Sequence, residues 1–543
     1  MTTTAANAAA AMSKPQSYPD LHEHVRRLED AGYLIRVRRP IDKNTELHPL
    51  VRWQFRGGIP PEQRKAFLFE NVVDSKGRAY DMPVIVGALA SNRAIYALSM
   101  GCPIEDISST WQRAIANPIE PELVTDAPCQ QIEVGGLDEL PVPISTPGWD
   151  NAPYLTSAHY VTADPETGVQ NSGNYRGQIK ALRRVGMNAS HELNQGITAH
   201  WDAARARGEK LPCAIVVGAP PCVTLTAVQK VPFGVDEHAV AGAMVGAPLR
   251  VTKAKTVDLL VPAESEIVIE GYIDTEYLEP EAPFGESHGH VNLQEYNAFM
   301  DVTAITRRRD AIFPSIISQV TPSESSLIKL VAYEERFLTQ LREMGIHDLK
   351  RVFLHEPLTN IRKVVVLVFA QGSEQTNVWR ALYAASSLQN AVGKFTIAVD
   401  EDIQPENTDA ILWALSYRMD PRRDMQVLEH RSWGHGPAGP VGDGQDAAIL
   451  MDATLKRPYP PISLPKREYM ERAREIWEEL GLPTLSPQVP WYGYSLGAWD
   501  DEFDAQAQAA VRGDFWETGE RIAKQRRNDV AMNTPSKHFP WDE

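Results

Sequence analysis

Apolar positions along the chain recur with two different periods. In residues 18–30, Leu21, Val25 and Leu28 share one helical face behind Asp20, whose side chain suits an N-cap. Gly32 ends that helix, and residues 33–38 then alternate as a strand does. An apolar run over 84–89 precedes a helix-like 92–98, which makes a small α/β unit up to the proline-rich 118–121. From Cys129 to about Val320 the texture changes to short strands: 160–164, 177–182, 213–218 and two more within 258–273. Strands at that spacing predict a β-barrel-like domain with inserted helices. Residues 324–346 read as an amphipathic helix. Apolar runs at 364–369 and 395–400 flank a helical 377–389, which is the texture of a βαβ unit. Beyond Met451 come proline-rich segments, helices over 466–480 and 515–527, and an aromatic run of Trp491, Tyr492, Tyr494 and Trp499. No internal repeat is visible.

The chain has 543 residues, which predicts about three domains. These fall as a disordered tail (1–16), an N-terminal α/β domain (17–125), a barrel-like domain (126–322), a second α/β domain (323–455) and a helical, aromatic tail (456–543). The fold class is multi-domain α/β in the α+β sense. A formal net charge of -17 argues against nonspecific nucleic-acid binding. The short basic runs at 36–39, 307–309 and 524–527 read as solvated edges. Cys102, Cys129, Cys213 and Cys222 are far apart and form no C-x-x-C, so neither a thiolate zinc site nor a disulfide framework is expected, and a reducing cytoplasmic location fits. Residues 1–12 have no basic or long apolar run and are not expected to be a signal peptide. No apolar stretch approaches the roughly 20 residues of a membrane span.

Three motifs could carry chemistry. Gly434-His-Gly436-Pro-Ala-Gly439 matches a dinucleotide fingerprint, but the following Pro-Val-Gly-Asp-Gly cannot start the helix such a site requires, so a loop is expected. Gly285-Glu-Ser287-His-Gly289 matches a hydrolase nucleophile elbow, without the preceding apolar strand; a serine hydrolase using Ser287 is the second reading. The third is Glu281-Ala-Pro-Phe-Gly-Glu286. Pro283 and Gly285 predict a kinked turn that can return two carboxylates to one space, where crowding would keep one of them protonated. The competing reading is an acidic surface turn.

Taken with Asn171-Ser-Gly-Asn-Tyr-Arg176, Met187-Asn-Ala-Ser-His191, Phe233-Gly-Val-Asp-Glu237 and Ala391-Val-Gly-Lys394, this turn resembles the UbiD-like family of decarboxylases that use prenylated FMN. Val261-Pro-Ala-Glu-Ser-Glu-Ile-Val-Ile-Glu-Gly and Trp413-Ala-Leu-Ser-Tyr-Arg-Met-Asp-Pro-Arg-Arg-Asp extend the resemblance over about 20–455. The resemblance implies a split β-barrel that binds the flavin and a C-terminal oligomerisation domain. It implies that Asn171, His191 and Glu237 ligate Mn²⁺ or a similar ion that holds the cofactor phosphate, that Lys394 meets the phosphate directly, and that K⁺ binds nearby. Arg176, Glu281 and Glu286 match the family's catalytic set, and Arg176 is also placed beside the cofactor. The implied reaction is reversible, non-oxidative decarboxylation of an aromatic, heteroaromatic or α,β-unsaturated acid, a ring-carboxylated aromatic acyl-CoA among them, through a covalent adduct with the cofactor. A separate flavin prenyltransferase would supply the cofactor, and the chain would form a homodimer or homohexamer. The contrasting reading is an inactive flavin-binding assembly subunit. The turn departs from the family's Pro-Glu-Gly-Pro in having Ala282, and the tail after 455 is longer than in the shorter members.

Overall fold

The computed structural model describes residues 18–189, 196–229, 231, 235–389, 392–432, 445–485, 487, 499–532 and 534–536. They form two compact units. The first runs to Arg336 and takes in Glu356–Ile361; the second holds Phe337–His355, Arg362–Arg431 and the described residues from Asp446 onward.

In the first unit, helix Leu21–Asp30 starts where the Asp20 carboxylate accepts the Glu23 N–H at 2.9 Å, and it buries Leu21, Val25 and Leu28. It lies beside a four-stranded sheet of Leu34–Val37, Ala66–Phe69, Val84–Val86 and Phe313–Ser315, in that order. Helix Arg93–Met100 follows, capped by Asn92. Beyond it lies a nine-stranded antiparallel sheet. Its path runs Gln170–Asn174, Ala158–Ala163, Leu211–Val217, Ile267–Ile273, Phe299–Arg307, Arg184–Met187, Gly177–Ala181 and Tyr154–Leu155, with Ile132–Glu133 added beside Phe299–Arg307.

That order has a geometric consequence. Gln170–Asn174 is at one edge, and Gly177–Ala181 is next to the other, yet only Tyr175 and Arg176 join them. Three consecutive Cα steps reach about 11 Å. The sheet must therefore curl until its two ends nearly meet, giving an open half-barrel with Arg176 at the seam. Tyr160, Ile215, Ile269, Met300 and Ile305 are buried in its core.

The second unit is a five-stranded sheet of Leu349–Leu354, Val364–Phe369, Phe395–Asp400, Gln445–Asp452 and Met425–Ser432. Val364–Phe369 and Phe395–Asp400 run parallel, joined through helix Gln375–Ser387, as the βαβ texture predicts. The Trp413-to-Asp424 motif spans the end of helix Thr408–Arg418, where buried Arg418 bridges Asp400 at 3.0 Å and Asp402 at 2.6 Å.

Several expectations change. Helices Pro221–Val228 and Glu237–Val245 were not anticipated, because nearly all their residues are buried and no polar face marks a helical period. Helix Asp501–Arg512 lies between the two expected tail helices, Arg467–Glu479 and Phe515–Ala523. The basic run at 307–309 is not a solvated edge throughout: Arg308 pairs with Asp20 at 2.8 Å and faces buried Glu266 at 3.7 Å. Residues 434–439 and the aromatic run 491–494 lie outside the described residues. The four cysteines are free. Among the described residues, no helix is long and apolar enough to cross a membrane.

Candidate active site

Arg176, at the seam of the half-barrel, is almost fully buried and lies between two carboxylates. Its Nε and Nη2 donate to the two oxygens of Glu281 at 2.9 and 2.7 Å, and Nη1 donates to Glu286 Oε1 at 2.6 Å. The bidentate fork to Glu281 and the single bond to Glu286 are strong charge-assisted contacts. The glutamates differ in setting: the Glu281 side chain is 0% exposed and that of Glu286 17%. An acidic surface turn is therefore excluded.

The stretch between them is more ordered than a plain turn. Glu279–Glu281 pairs with Glu295–Asn297, and Phe284–Gly285 pairs with Val291–Asn292. The two ladders keep one register, so they are a single hairpin kinked between them at Ala282, whose φ is +83°, and the chain reverses only after Glu286. Ala282 and Phe284 pack with Tyr154, the Phe284 ring 4.3 Å from that of Tyr154 and 5.0 Å from the Arg176 guanidinium carbon. The ladder also overturns the hydrolase reading: residues 287–290 are the tip of a hairpin, with no helix after Ser287. His288 lies on this tip, its Nε2 2.7 Å from Asn292 Oδ1, and burial lowers its pKa.

Residues 145–151, which carried no motif, border the same turn. Asp150 accepts the N–H of Gly285 at 2.8 Å and that of Thr146 at 2.6 Å. Burial pushes its carboxyl up to about 6 against the pull of Arg52 and Arg176. The signal for these residues lies in tertiary contact alone.

Glu237 meets the edge strand Gln170–Asn174 at the residue next to Asn171. Glu237 opens helix Glu237–Val245 behind the Asp236 cap, and its Oε2 accepts the Ser172 N–H at 2.9 Å. Burial raises its carboxyl to about 7. Among the described residues, buried Asn171 Nδ2, Ser172 Oγ and Asn174 Oδ1 have no hydrogen-bond partner, and a Cβ on Gly196 would lie 2.2 Å from Asn171 Oδ1. The Glu237 carboxylate and the Asn171 amide oxygen are hard oxygen donors of the kind a divalent ion takes. Among the described residues, no three His, Cys, Asp or Glu converge on one point; His191, expected as the third ligand, lies outside them. Lys394 belongs to the second unit, where its Nζ is 2.6 Å from Asp446 Oδ1.

Comparison with known proteins agrees with this architecture. Residues 25–115 match the family model for the UbiD 3-octaprenyl-4-hydroxybenzoate carboxy-lyase N-terminal domain, 122–320 its Rift-related domain and 329–450 its C-terminal domain. The UbiD-class enzyme HmfF from Pelotomaculum thermopropionicum, in complex with FMN, superposes with a TM-score of 0.72 at 29% identity, covering 82% of this chain and 95% of that one. An evolved dimeric form of HmfF in complex with prFMN gives 0.70 at 29%, covering 80% and 95%. Sedimentibacter hydroxybenzoicus vanillic acid decarboxylase in its closed form gives 0.71 at 25%, covering 86% and 100%. With these three domains matched in order over most of its length, the chain belongs to the UbiD family of carboxy-lyases.

Proposed function

We propose that this enzyme reversibly removes CO₂ from an aromatic, heteroaromatic or α,β-unsaturated carboxylic acid, with prenylated FMN as cofactor. A ring-carboxylated aromatic acyl-CoA belongs to the same substrate class. The observation that carries this reading is one buried guanidinium gripped by both Glu281 and Glu286. When CO₂ leaves an sp² carbon, the bonding pair stays behind. Prenylated FMN supplies the electron sink that no side chain provides.

The side chains then divide the remaining work. Three N–H groups of Arg176 are engaged by the glutamates; of the five it carries, the others can orient a substrate carboxylate. A proton must replace the departing CO₂ on carbon. Glu286 is the donor, because its side chain is partly exposed and can recover a proton from solvent, while Glu281 is sealed. Glu281 holds the guanidinium in plane by its fork. In the reverse direction Glu286 takes the proton back.

Asn171, His191 and Glu237 would hold Mn²⁺ or a similar divalent ion, and Lys394 would meet the cofactor phosphate in competition with Asp446. K⁺ is a further ion of this reading, with no ligands assigned. A flavin prenyltransferase supplies the cofactor, and the chain works as a homodimer or homohexamer.

The test is H/D exchange and CO₂ release by purified, cofactor-loaded enzyme across a panel of carboxylic acids. At least one acid should exchange, and Glu286→Gln should lower that rate by about 10² or more with flavin absorbance unchanged. Full loading with no exchange on any acid would identify an inactive assembly subunit instead. Near-parental exchange by Glu286→Gln would remove Glu286 from the role of donor.

A further inference from the structure

We propose that Asp150 is a positioning residue for the reaction: it holds the backbone of the stretch on which Glu281 and Glu286 meet Arg176. The inference rests on the reading of Glu286 as proton donor and extends it to a residue outside the Arg–Glu–Glu set.

The backbone between the two glutamates is tied to one dipeptide. Asp150 Oδ1 accepts the Gly285 N–H at 2.8 Å. The next residue, Asn151, donates its Nδ2 to the Ala282 carbonyl at 2.7 Å and its N–H to the Pro283 carbonyl at 3.3 Å. Asn151 Oδ1 in turn accepts from Gln178 Nε2 at 2.6 Å. Gln178 lies two residues beyond Arg176, on strand Gly177–Ala181. Asp150-Asn151 therefore links the turn that carries both carboxylates to the strand that follows their common partner.

The dipeptide is itself anchored. Asp150 Oδ2 accepts the Thr146 N–H at 2.6 Å, and the Asp150 N–H donates to the Thr146 carbonyl at 3.0 Å, which closes residues 146–150 into a turn. Arg52 fastens that turn from the other side, through Nη2 to the Ser145 carbonyl at 2.7 Å and to Thr146 Oγ1 at 3.3 Å. The contact is close enough to demand glycine: a Cβ on Gly285 would lie 2.3 Å from Thr146 Oγ1. An ionised carboxylate accepts two N–H groups at once; a carboxamide of the same shape offers one acceptor oxygen and turns an NH₂ toward the other donor. A displacement of about 1 Å in a catalytic group is enough to cost about 10²-fold in rate.

The experiment compares the cofactor-loaded parent with Asp150→Asn, Asn151→Ala and Glu286→Gln. In Asp150→Asn, kcat should fall about 10- to 100-fold, while KM and flavin absorbance stay within about twofold of the parent. Amide hydrogen exchange in peptides covering 282–286 should quicken, with peptides covering 21–30 unchanged. Asn151→Ala, at an exposed site, should give a smaller loss of the same kind, and it carries the test alone should Asp150→Asn fail to fold. Unchanged exchange at 282–286, or faster exchange with parental kcat, overturns the proposal. So does a parallel fall in kcat, flavin loading and melting temperature, which marks a general structural role. Parental activity in Glu286→Gln would instead refute the donor assignment; hydrogen exchange at 282–286 then decides by itself whether Asp150 holds the turn.

Discussion

At the scale of single residues, burial separates chemically identical groups. Glu281 and Glu286 share one arginine and differ in their access to water, the difference on which the proposed division into orienting group and proton donor rests. Glu237 illustrates the other use of burial: its carboxyl is driven up to about 7, with no compensating cation among the described residues. A divalent ion there would favour the ionised form and retain the cofactor phosphate. Glu237→Ala and His191→Ala should therefore lose bound metal and, with it, flavin absorbance after gel filtration. Full flavin retention by either variant in the presence of a chelator would dismiss the metal bridge.

At the scale of elements, the turn between the glutamates depends on one unusual backbone position. Ala282 has φ +83°, a region that costs an L-residue about 1–2 kcal/mol and excludes β-branched side chains more strongly. Its methyl is fully buried against Tyr154 and Phe284. Ala282→Gly should relieve the backbone and lose the methyl contact, leaving activity and melting temperature close to the parent. Ala282→Val cannot keep this φ and should pull Glu281 out of register with Glu286, lowering kcat by at least 10-fold, on the scale of a misplaced catalytic group. Parental turnover in Ala282→Val would show that the turn tolerates another path.

At the scale of the whole molecule, stability and assembly come into view. Glu324 is 1% exposed and accepts the N–H groups of Gly87 at 3.1 Å and Leu89 at 3.0 Å; burial raises its carboxyl from 4.5 to about 7. The folded chain keeps a proton there that the unfolded chain has released. This stabilising term is present below about pH 4.5 and is lost as the pH rises to about 7, a change on the order of 3 kcal/mol. The parent should melt at lower temperature at pH 7.5 than at pH 5 by more than Glu324→Gln does; identical pH slopes would refute this. The tail helix Phe515–Ala523 has no buried residue, and Phe515 and Trp516 are 49% and 72% exposed. Apolar surface of this kind favours association. Light scattering at micromolar concentration should give a dimer or a hexamer; a stable 60.4 kDa species would contradict it.

Periodicity and local chemistry in the sequence determined the amphipathic helix behind Asp20, the parallel pair Val364–Phe369 and Phe395–Asp400, and a strand-rich middle. Each of these shows one face to water or a run of β-formers, so the pattern records the element. Pro283 and Gly285 likewise announced a kink between two carboxylates, but the chain reversal expected there comes after Glu286. Helices buried on all sides, such as Pro221–Val228, leave no such record. Nor does the curl of the sheet, which follows from the order in which strands pair and brings Arg176 to the seam. Only the folded chain decided that both glutamates grip Arg176, that Glu281 is sealed and Glu286 is not, and that Asp150 reaches Gly285 across 135 residues of sequence. Local sequence sets backbone preference and the polarity of a face, whereas burial and long-range contact arise when distant segments exclude water from one another.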